Sequence, residues 1–582
     1  MKNNKYIGIT IGPIYKTIKI AQKTREIWGA SYLFSYICKE ILKNISAEKY
    51  NILLPNNEYV RQSKPGVGLY PDRILLRIKE NGNFEEINEI IEKVKESVAN
   101  QLWDELNKSK FTFKPYDKHI QIFKKNKNKI KAFFYNYFKV YAIEADEADL
   151  SFVDKNNKKI GIVKSLNLYL DNAEQIPTLA HFDPNPFYVL FHFINHSFLI
   201  KDAFHDDYKN GFPSLTEIAT NELQFVTDEN QKYIAQDEIR KIIKDEFNDK
   251  QENDASKPNA LVEEIKKDDN ALSEIFGIKE ISEYLRTYHK YIAIIHADGD
   301  NMGKLIGSLE TEDEINNFSK DLIEFSIKAN EILAGKRFTQ NDVTDWGYGA
   351  APIYIGGDDL VFFAPVASRD RDGNYLTLFD LIDKLDRAFD DIFNKKDENN
   401  NYEKYKGMTE NRPCLTYGIS ITYYKFPLRE AYELSKNLMY EVKNDKYKTR
   451  NRIHFKLQKH SKQEYTGIID KNYNTFSKYR ELLNSNLKTP KGKDSDLFIN
   501  SIYQKILLNR GQYLDTNVKD LTALFDETFN EKVHKDFVEY LIKVREFIEQ
   551  MFSNQGYNEE TLNTIVSLLK LIHFYRDNEF RN

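Results

Sequence analysis

The sequence predicts an α+β fold: two α/β units, a helical segment between them and a helical C-terminal region. Three observations lead there. Two apolar, strand-like runs, Tyr291–His296 and Pro352–Ala364, are each followed or interrupted by paired carboxylates. The order strand, helix, strand, strand occurs early in the chain and again between 286 and 460. Beyond about 463 the apolar residues recur at helical rather than alternating spacing.

In the first unit, residues 5–12 set Ile7, Ile9 and Ile11 against Gly8, Thr10 and Gly12, a period-two strand. Thr17–Ile45 reads as one long helix through Ile20, Ile27, Phe34, Ile37 and Ile41. Strands are expected at Asn51–Pro55, Gly68–Ile78 and Lys139–Glu144. Residues 181–285 turn helical. There Phe187–Ile200 is apolar and aromatic, Ser214 to Glu217 fits a capping box, and Asn248–Lys257 is a polar loop.

The second unit opens with the Tyr291–His296 strand and a short helix after Asn301, then an amphipathic helix, Asp313–Leu333. Ile353–Phe363 folds back at Gly356-Gly357, because paired glycines allow a tight hairpin with positive φ. Loops at Ser368–Asn374 and Lys395–Asn401 flank a helix, Leu376–Phe393. Leu415–Tyr423 alternates strictly and is a strand with a small polar face; the helix Leu428–Val442 follows. Helices at Ser477–Asn484, Asp496–Asn509, Val518–Phe529, Val533–Phe552 and Glu559–Arg576 complete the chain. The implied domains are 1–180, 181–285, 286–462 and 463–582.

Asp298 and Asp300 end one strand, and Asp358 and Asp359 sit at the hairpin tip. Adjacent anions repel, so a fold that gathers them supplies a cation. An oxygen-rich, sulfur-free set suits Mg²⁺ or Mn²⁺. The amides of Asn301, Met302 and Gly303 at a helix start would face an anion. Lys436 and Lys443, seven apart on one helix, are candidate phosphate ligands. Two acidic strand ends from separate segments point to two-metal phosphoryl or nucleotidyl transfer. The first unit has Pro71-Asp72-Arg73 where the second has Gly-Gly-Asp-Asp, and is expected to be a metal-free copy.

Composition sets limits. At 582 residues the chain exceeds one core, and 41% hydrophobic with 13% aromatic residues can fill several. A net charge of −5 gives no global basic field, so any RNA contact must be local or shared with partners. Cys38 and Cys414 make no zinc motif and fit a reducing, cytoplasmic setting. No signal-peptide core and no long uncharged apolar run are present, so no membrane association is expected.

Together, Ile-Gly-Gly-Asp-Asp (355–359), Asp-Gly-Asp-Asn-Met-Gly-Lys (298–304), Thr-Arg-Glu-Ile-Trp-Gly-Ala-Ser-Tyr-Leu (24–33), Pro-Asp-Arg (71–73) and Phe-Pro-Ser (212–214) resemble the large polymerase/cyclase subunit of type III CRISPR effector complexes, in its Cmr form. The resemblance implies two facing ferredoxin-like palm domains, a helical middle domain and a helical C-terminal bundle. It implies that Asp298, Asp358 and Asp359 hold two metals while a 3′-hydroxyl attacks the α-phosphate of ATP. Gly299, Asp300, Gly356, Gly357, Lys436 and Lys443 would then line the nucleotide, with Thr449-Arg450-Asn451-Arg452 after the lysine. The acceptor would sit near Gly8, Ser31 and Asp72. Partners would be the other Cmr-type subunits, guide RNA and target RNA.

Two departures from the family pattern shape the expectation. The first palm strand begins at Tyr6, and His205-Asp206 is a lone pair, so HD-type nuclease activity is not expected. Residues 180–285 contain no cysteine, so no zinc is expected there. The resemblance leaves two products open, cyclic oligoadenylate or AMP joined to S-adenosylmethionine. A catalytically silent scaffold of the same ribonucleoprotein is the alternative.

Overall fold

The computed structural model describes residues 4–21, 23–56, 67–108, 125–150, 152–153, 160–175, 212–222, 286–334, 347–370, 374–399, 401–406, 408, 412–444, 450–488, 493–515, 518–529 and 537–576. The expectations for Phe187–Ile200, His205-Asp206 and Asn248–Lys257, and so most of the middle segment, lie outside the described residues.

The first unit runs β1 (Lys5–Gly12), α1 (Ile14–Ile20), α2 (Thr24–Asn44), β2 (Tyr50–Leu54), β3 (Arg73–Ile78), α3 (Phe84–Lys108), α4 (Lys127–Tyr137), β4 (Lys139–Asp146) and α5 (Ile162–Glu174). Its antiparallel sheet has the order β2-β3-β1-β4, the ferredoxin-like arrangement. The single helix expected over Thr17–Ile45 is two. Ala21 is extended, and Glu26 Oε2 accepts from the Lys23 amide to start α2. The sequence reading passed over α3, α4 and α5. For α3 the signal exists, since Ile87, Ile90, Ile91, Val94, Val98 and Leu102 recur at three- and four-residue steps and are all buried.

After α6 (Leu215–Ala219), the second unit runs β5 (Tyr291–Asp300), α7 (Met302–Gly307), α8 (Glu312–Ala334), β6 (Ala351–Gly356), β7 (Asp359–Pro365), β8 (Ala367–Arg369), β9 (Tyr375–Thr377), α9 (Leu378–Phe393), β10 (Cys414–Tyr423), α10 (Leu428–Lys443), β11 (Arg452–Gln458) and β12 (Glu464–Asp470). The sheet order is β12-β11-β10-β5-β7-β6, so β6-β7-β5-β10 repeats the topology of the first unit. β11 joins parallel to β10, and β12 carries the sheet past residue 462. Part of the loop expected at Ser368–Asn374 is instead the β8–β9 hairpin. The capping box at Ser214 forms as expected: its hydroxyl accepts from the Glu217 amide at 3.3 Å.

The two units pack reciprocally: α2 of the first lies on β6 of the second, and α8 of the second lies on β2 of the first. Ile27, Trp28 and Ala30 from α2 share a buried cluster with Ile292, Ile294, Ile353 and Phe363 from the second sheet. Polar ties reinforce the seam. Ile355 N donates to Gly68 O at 3.4 Å, and Tyr6 Oη donates to Glu312 at 3.2 Å.

The C-terminal helices are α11 (Thr475–Lys488), α12 (Lys493–Leu508), α13 (Arg510–Asp515), α14 (Val518–Thr528), α15 (Val538–Gln555) and α16 (Glu559–Arg576). They dock on the second unit through α16 against β12, and through Arg480 on α11, which bridges Asp380 and Asp383 of α9. Among the described residues no helix is long and apolar enough to cross a membrane.

Candidate metal and nucleotide site

The site is assembled from the C-terminal end of β5, the β6–β7 turn and the end of α10. Gly357 and Asp358 form the two-residue loop between Gly356 and Asp359, which face each other across the ladder. Gly357 has φ 82°, the positive value such loops take at their first central residue, and its amide donates to Ser326 Oγ on α8. At Gly299 a Cβ would stand 2.7 Å from the Asp358 Cβ, so only glycine lets the hairpin tip rest against β5.

This contact brings the carboxylates together. One oxygen from each of Asp298, Asp358 and Asp359 lies within 4.8 Å of the others. Two unit charges at that range repel by roughly 3 kcal/mol at an effective dielectric of about 20. Burial, then Asp298, pushes the Asp358 carboxyl up from its ordinary value; burial, Asp298 and Asp358 do the same to Asp359. Three hard oxygen donors without sulfur or imidazole fit a divalent Mg²⁺ or Mn²⁺, which would remove the repulsion.

Lys443, at the last turn of α10, forms an ion pair with Asp298 and donates to Gly299 O at 3.3 Å. Asp300, at the end of β5, is not one of those three carboxylates and is fully buried. Its Oδ2 accepts from the Thr416 hydroxyl and from the Asn451 amide at 3.0 Å. Its Oδ1 has no hydrogen bond, but Lys443 Nζ and an Arg450 guanidinium nitrogen each stand 3.6 Å away. Asn301 takes a left-handed φ of 61° just before α7, and its side chain donates to Arg412 O at 3.3 Å. Four carboxylates and two cations therefore meet in one recess.

The remaining expected residues lie elsewhere. Lys436 sits over the Tyr15 ring, 3.3 Å from its centroid, a cation–π contact across the seam. At Gly8 a Cβ would meet Leu166 of α5 at 2.7 Å, so glycine is what lets α5 lie on β1 there. Ser31 is buried within α2. Asp72 precedes β3 as Asp358 precedes β7, and burial raises its pKa against the opposing pull of Arg73. Sequence reasoning missed Tyr354, whose hydroxyl folds to within 1.8 Å of where a Gly356 Cβ would stand. Burial, then Asp72, Asp359 and Asp358, push its pKa up. It also missed Asn472, whereas Thr416 lies on the small polar face of the 415–423 strand that the sequence offered as a floor for a nucleotide pocket.

Residues 291–454 match the family model described as Cas10/Cmr2, second palm domain, and residues 6–108 match that described as CRISPR-associated protein Cmr2, N-terminal. No curated protein matches the chain. Among solved structures, a chain of the type III-B Cmr-beta bound to cognate target RNA is 12% identical, with 80% of this chain and 71% of that one covered and a TM-score of 0.48. A chain of the Csm1–Csm4 cassette in complex with cA4 is 11% identical over 99% of this chain and 70% of that one, with a TM-score of 0.44. The same cassette in complex with one ATP gives 12%, 99% and 70%, with a TM-score of 0.45.

Proposed function

The chain carries a Cmr2 N-terminal domain and a Cas10/Cmr2 second palm domain, and from that premise we propose that it is the nucleotidyltransferase subunit of a type III CRISPR effector. In this reading target RNA bound by the assembled, cytoplasmic complex switches the subunit on, and ATP is converted to a nucleotide second messenger. The observation that carries it is the convergence of Asp298, Asp358 and Asp359, from positions far apart in the chain, within 4.8 Å. Such a set is costly to hold together unless cations are bound there.

Asp298, Asp358 and Asp359 would hold two Mg²⁺ or Mn²⁺ ions, which when bound neutralise triphosphate charge and polarise the reacting oxygens. Lys443 and Arg450 place two further positive charges at the rim, where β- and γ-phosphates need partners. Gly299 and Gly356 let Asp358 and Tyr354 pack against the backbone of the site, and Asn301 to Gly303 line the turn beside them. The attacking group is a 3′-hydroxyl, the α-phosphate is its target and pyrophosphate leaves.

The product is a cyclic oligoadenylate, or AMP joined to S-adenosylmethionine when that molecule is the acceptor. The test is to incubate the complex, loaded with guide and target RNA, with ATP alone and with ATP plus S-adenosylmethionine. Products are identified by mass spectrometry. Product in either arm, lost on Asp358→Ala with Asp359→Ala, supports the reading; no ATP turnover in either arm leaves a scaffold.

A further inference from the structure

The tip of the β6–β7 hairpin is held from two sides. On one side the Asp358 side chain rests on β5 at Gly299, where a Cβ would stand 2.7 Å from its own. On the other side is α8. The two-residue loop pairs Gly356 with Asp359 and leaves the amide of Gly357 to find its partner outside the ladder. That partner is the hydroxyl of Ser326, buried on α8 and 3.2 Å away. Ser326 Oγ donates to Leu322 O at 2.9 Å, which leaves its lone pairs to accept from Gly357. Leu322, one turn earlier, comes within 3.3 Å of where a Gly357 Cβ would stand and completes the seat. Inside a helix a buried serine is a poorer choice than alanine unless its oxygen is used. The helix is itself anchored on the first unit. Glu312 at its start accepts from Tyr6 Oη and Asn51 Nδ2, each at 3.2 Å, and pairs with Arg77 at 2.6 Å.

We propose that Ser326 is a positioning residue for the cation site: through the Gly357 amide it sets how closely Asp358 and Asp359 approach Asp298. This inference rests on the nucleotidyltransferase reading and deepens it, because it gives α8 a part in cation affinity. The three carboxylates repel one another when no cation lies among them. Asp298 belongs to β5, which is paired with β10 and β7, so the hairpin tip is the part that can yield. Without an acceptor for the Gly357 amide the tip gives way to the repulsion and the carboxylate oxygens spread. Groups that orient metal-binding side chains govern affinity in this manner without touching the metal. Ser319 supplies the contrast. It lies seven residues earlier on the same face of α8 and is as deeply buried, but its hydroxyl accepts from the Asn56 amide at 2.6 Å and has no bond to the tip.

The test is calorimetric titration of the full chain with Mg²⁺ alone, in the absence of ATP. Ser326→Ala is expected to weaken Mg²⁺ binding about tenfold. Ser319→Ala, which removes one buried hydroxyl from the same face of the same helix, should stay within about twofold of the wild type. Equal weakening in both variants would mean a general loosening of α8 and overturns the assignment, as does unchanged affinity in Ser326→Ala. Hydrogen exchange at the Gly357 amide of the wild type decides the matter if Ser326→Ala fails to fold: slow exchange is expected, and exchange at the rate of an open loop overturns the proposal. In the complex loaded with guide and target RNA, Ser326→Ala should need about ten times more Mg²⁺ for half-maximal product, with the rate at saturating Mg²⁺ within about twofold of the wild type. A wild-type chain that binds no Mg²⁺ sinks the cation site itself. A wild type that binds it, beside a Ser326→Ala chain that binds it equally well, sinks only the role of Ser326.

Discussion

The backbone amide of Asn451 donates to Asp300 Oδ2 across 3.0 Å, joining residues 151 apart in sequence. The bond fixes a corner at which Asn451 adopts a left-handed φ of 66° and Arg450 is presented beside Lys443. The corner is gripped from the far side as well. Asn472, just after β12, donates to Arg450 O at 2.8 Å and accepts from Asn451 Nδ2 at 3.2 Å, while the Lys471 amide donates to Asn451 O at 2.9 Å. The chain therefore passes from the second sheet to the C-terminal helices through residues that hold the Asp300 corner.

Asp300→Asn should test whether this carboxylate positions rather than ligates. Its amide cannot accept as fully as the carboxylate does from Thr416 and Asn451, and it no longer attracts Lys443 and Arg450. A loss of about 1–3 kcal/mol is expected in chemical denaturation, with a raised KM for ATP. The Mg²⁺-induced rise in Tm should persist; if it vanishes, Asp300 is itself a ligand.

Asp358→Ala combined with Asp359→Ala should abolish product while the complex still assembles and binds RNA. Removing two mutually repelling carboxylates should leave the metal-free chain at least as stable as the wild type. Saturating Mg²⁺ stabilises the wild type by about 2.7 kcal/mol at a hundred times Kd, and the double variant should show no such shift in a thermal scan.

Lys443→Ala should raise KM for ATP roughly tenfold, the value of about one charge-assisted contact, without removing the Mg²⁺-induced shift in Tm. Unaltered apparent ATP affinity would end the case for a phosphate role.

Glu222 is buried between Tyr288, His289 and Arg369, with the last two at 2.8 and 2.9 Å. Burial would raise its pKa, but the His289 hydrogen bond and the charges of His289 and Arg369 outweigh it and hold the carboxyl below its ordinary 4.5. A depressed pKa contributes stability that is complete above the ordinary value and fades as pH falls through the depressed one. Glu222→Gln should therefore cost about 3 kcal/mol near neutrality. The Tm gap from the wild type should close as pH falls below the ordinary carboxyl value of 4.5, and a gap independent of pH would count against an ionised Glu222.

Gly418 lies where β10 meets α10, and a Cβ there would stand 2.1 Å from Ser435 O and 2.4 Å from Met439 N. Because these are backbone atoms, Gly418→Ala must displace α10, at a cost of about 1–3 kcal/mol. Lys443 moves with that helix. Urea denaturation and ATP titration of the same variant should both worsen; an effect on stability alone would mean that α10 yields only at its start.

Much of this was legible along the chain. The alternation in 5–12 and 415–423, the glycines at 356–357 and the carboxylates at 298, 358 and 359 are local patterns, and local patterns follow from backbone sterics and side-chain period. The α3 stripe of Ile87, Ile90, Ile91, Val94, Val98 and Leu102 is as local as these, while α4 is short and crowded with lysines. The break after Ile20 depends on the Glu26 cap rather than on periodicity. β11 and β12 escaped because their charged residues dilute the apolar alternation and their pairing comes from β10.

The sequence by itself determined which residues carry charge, where the chain can turn tightly and that two units share one topology. Only the tertiary structure decided that Lys443 meets Asp298, that Asp300 is held by Thr416 and Asn451, that α5 packs on Gly8 and that Lys436 sits over Tyr15. The physical reason is that charge and turn propensity belong to a residue and its neighbours in the chain. Contact and burial belong to the packing of elements hundreds of positions apart, which no local pattern encodes.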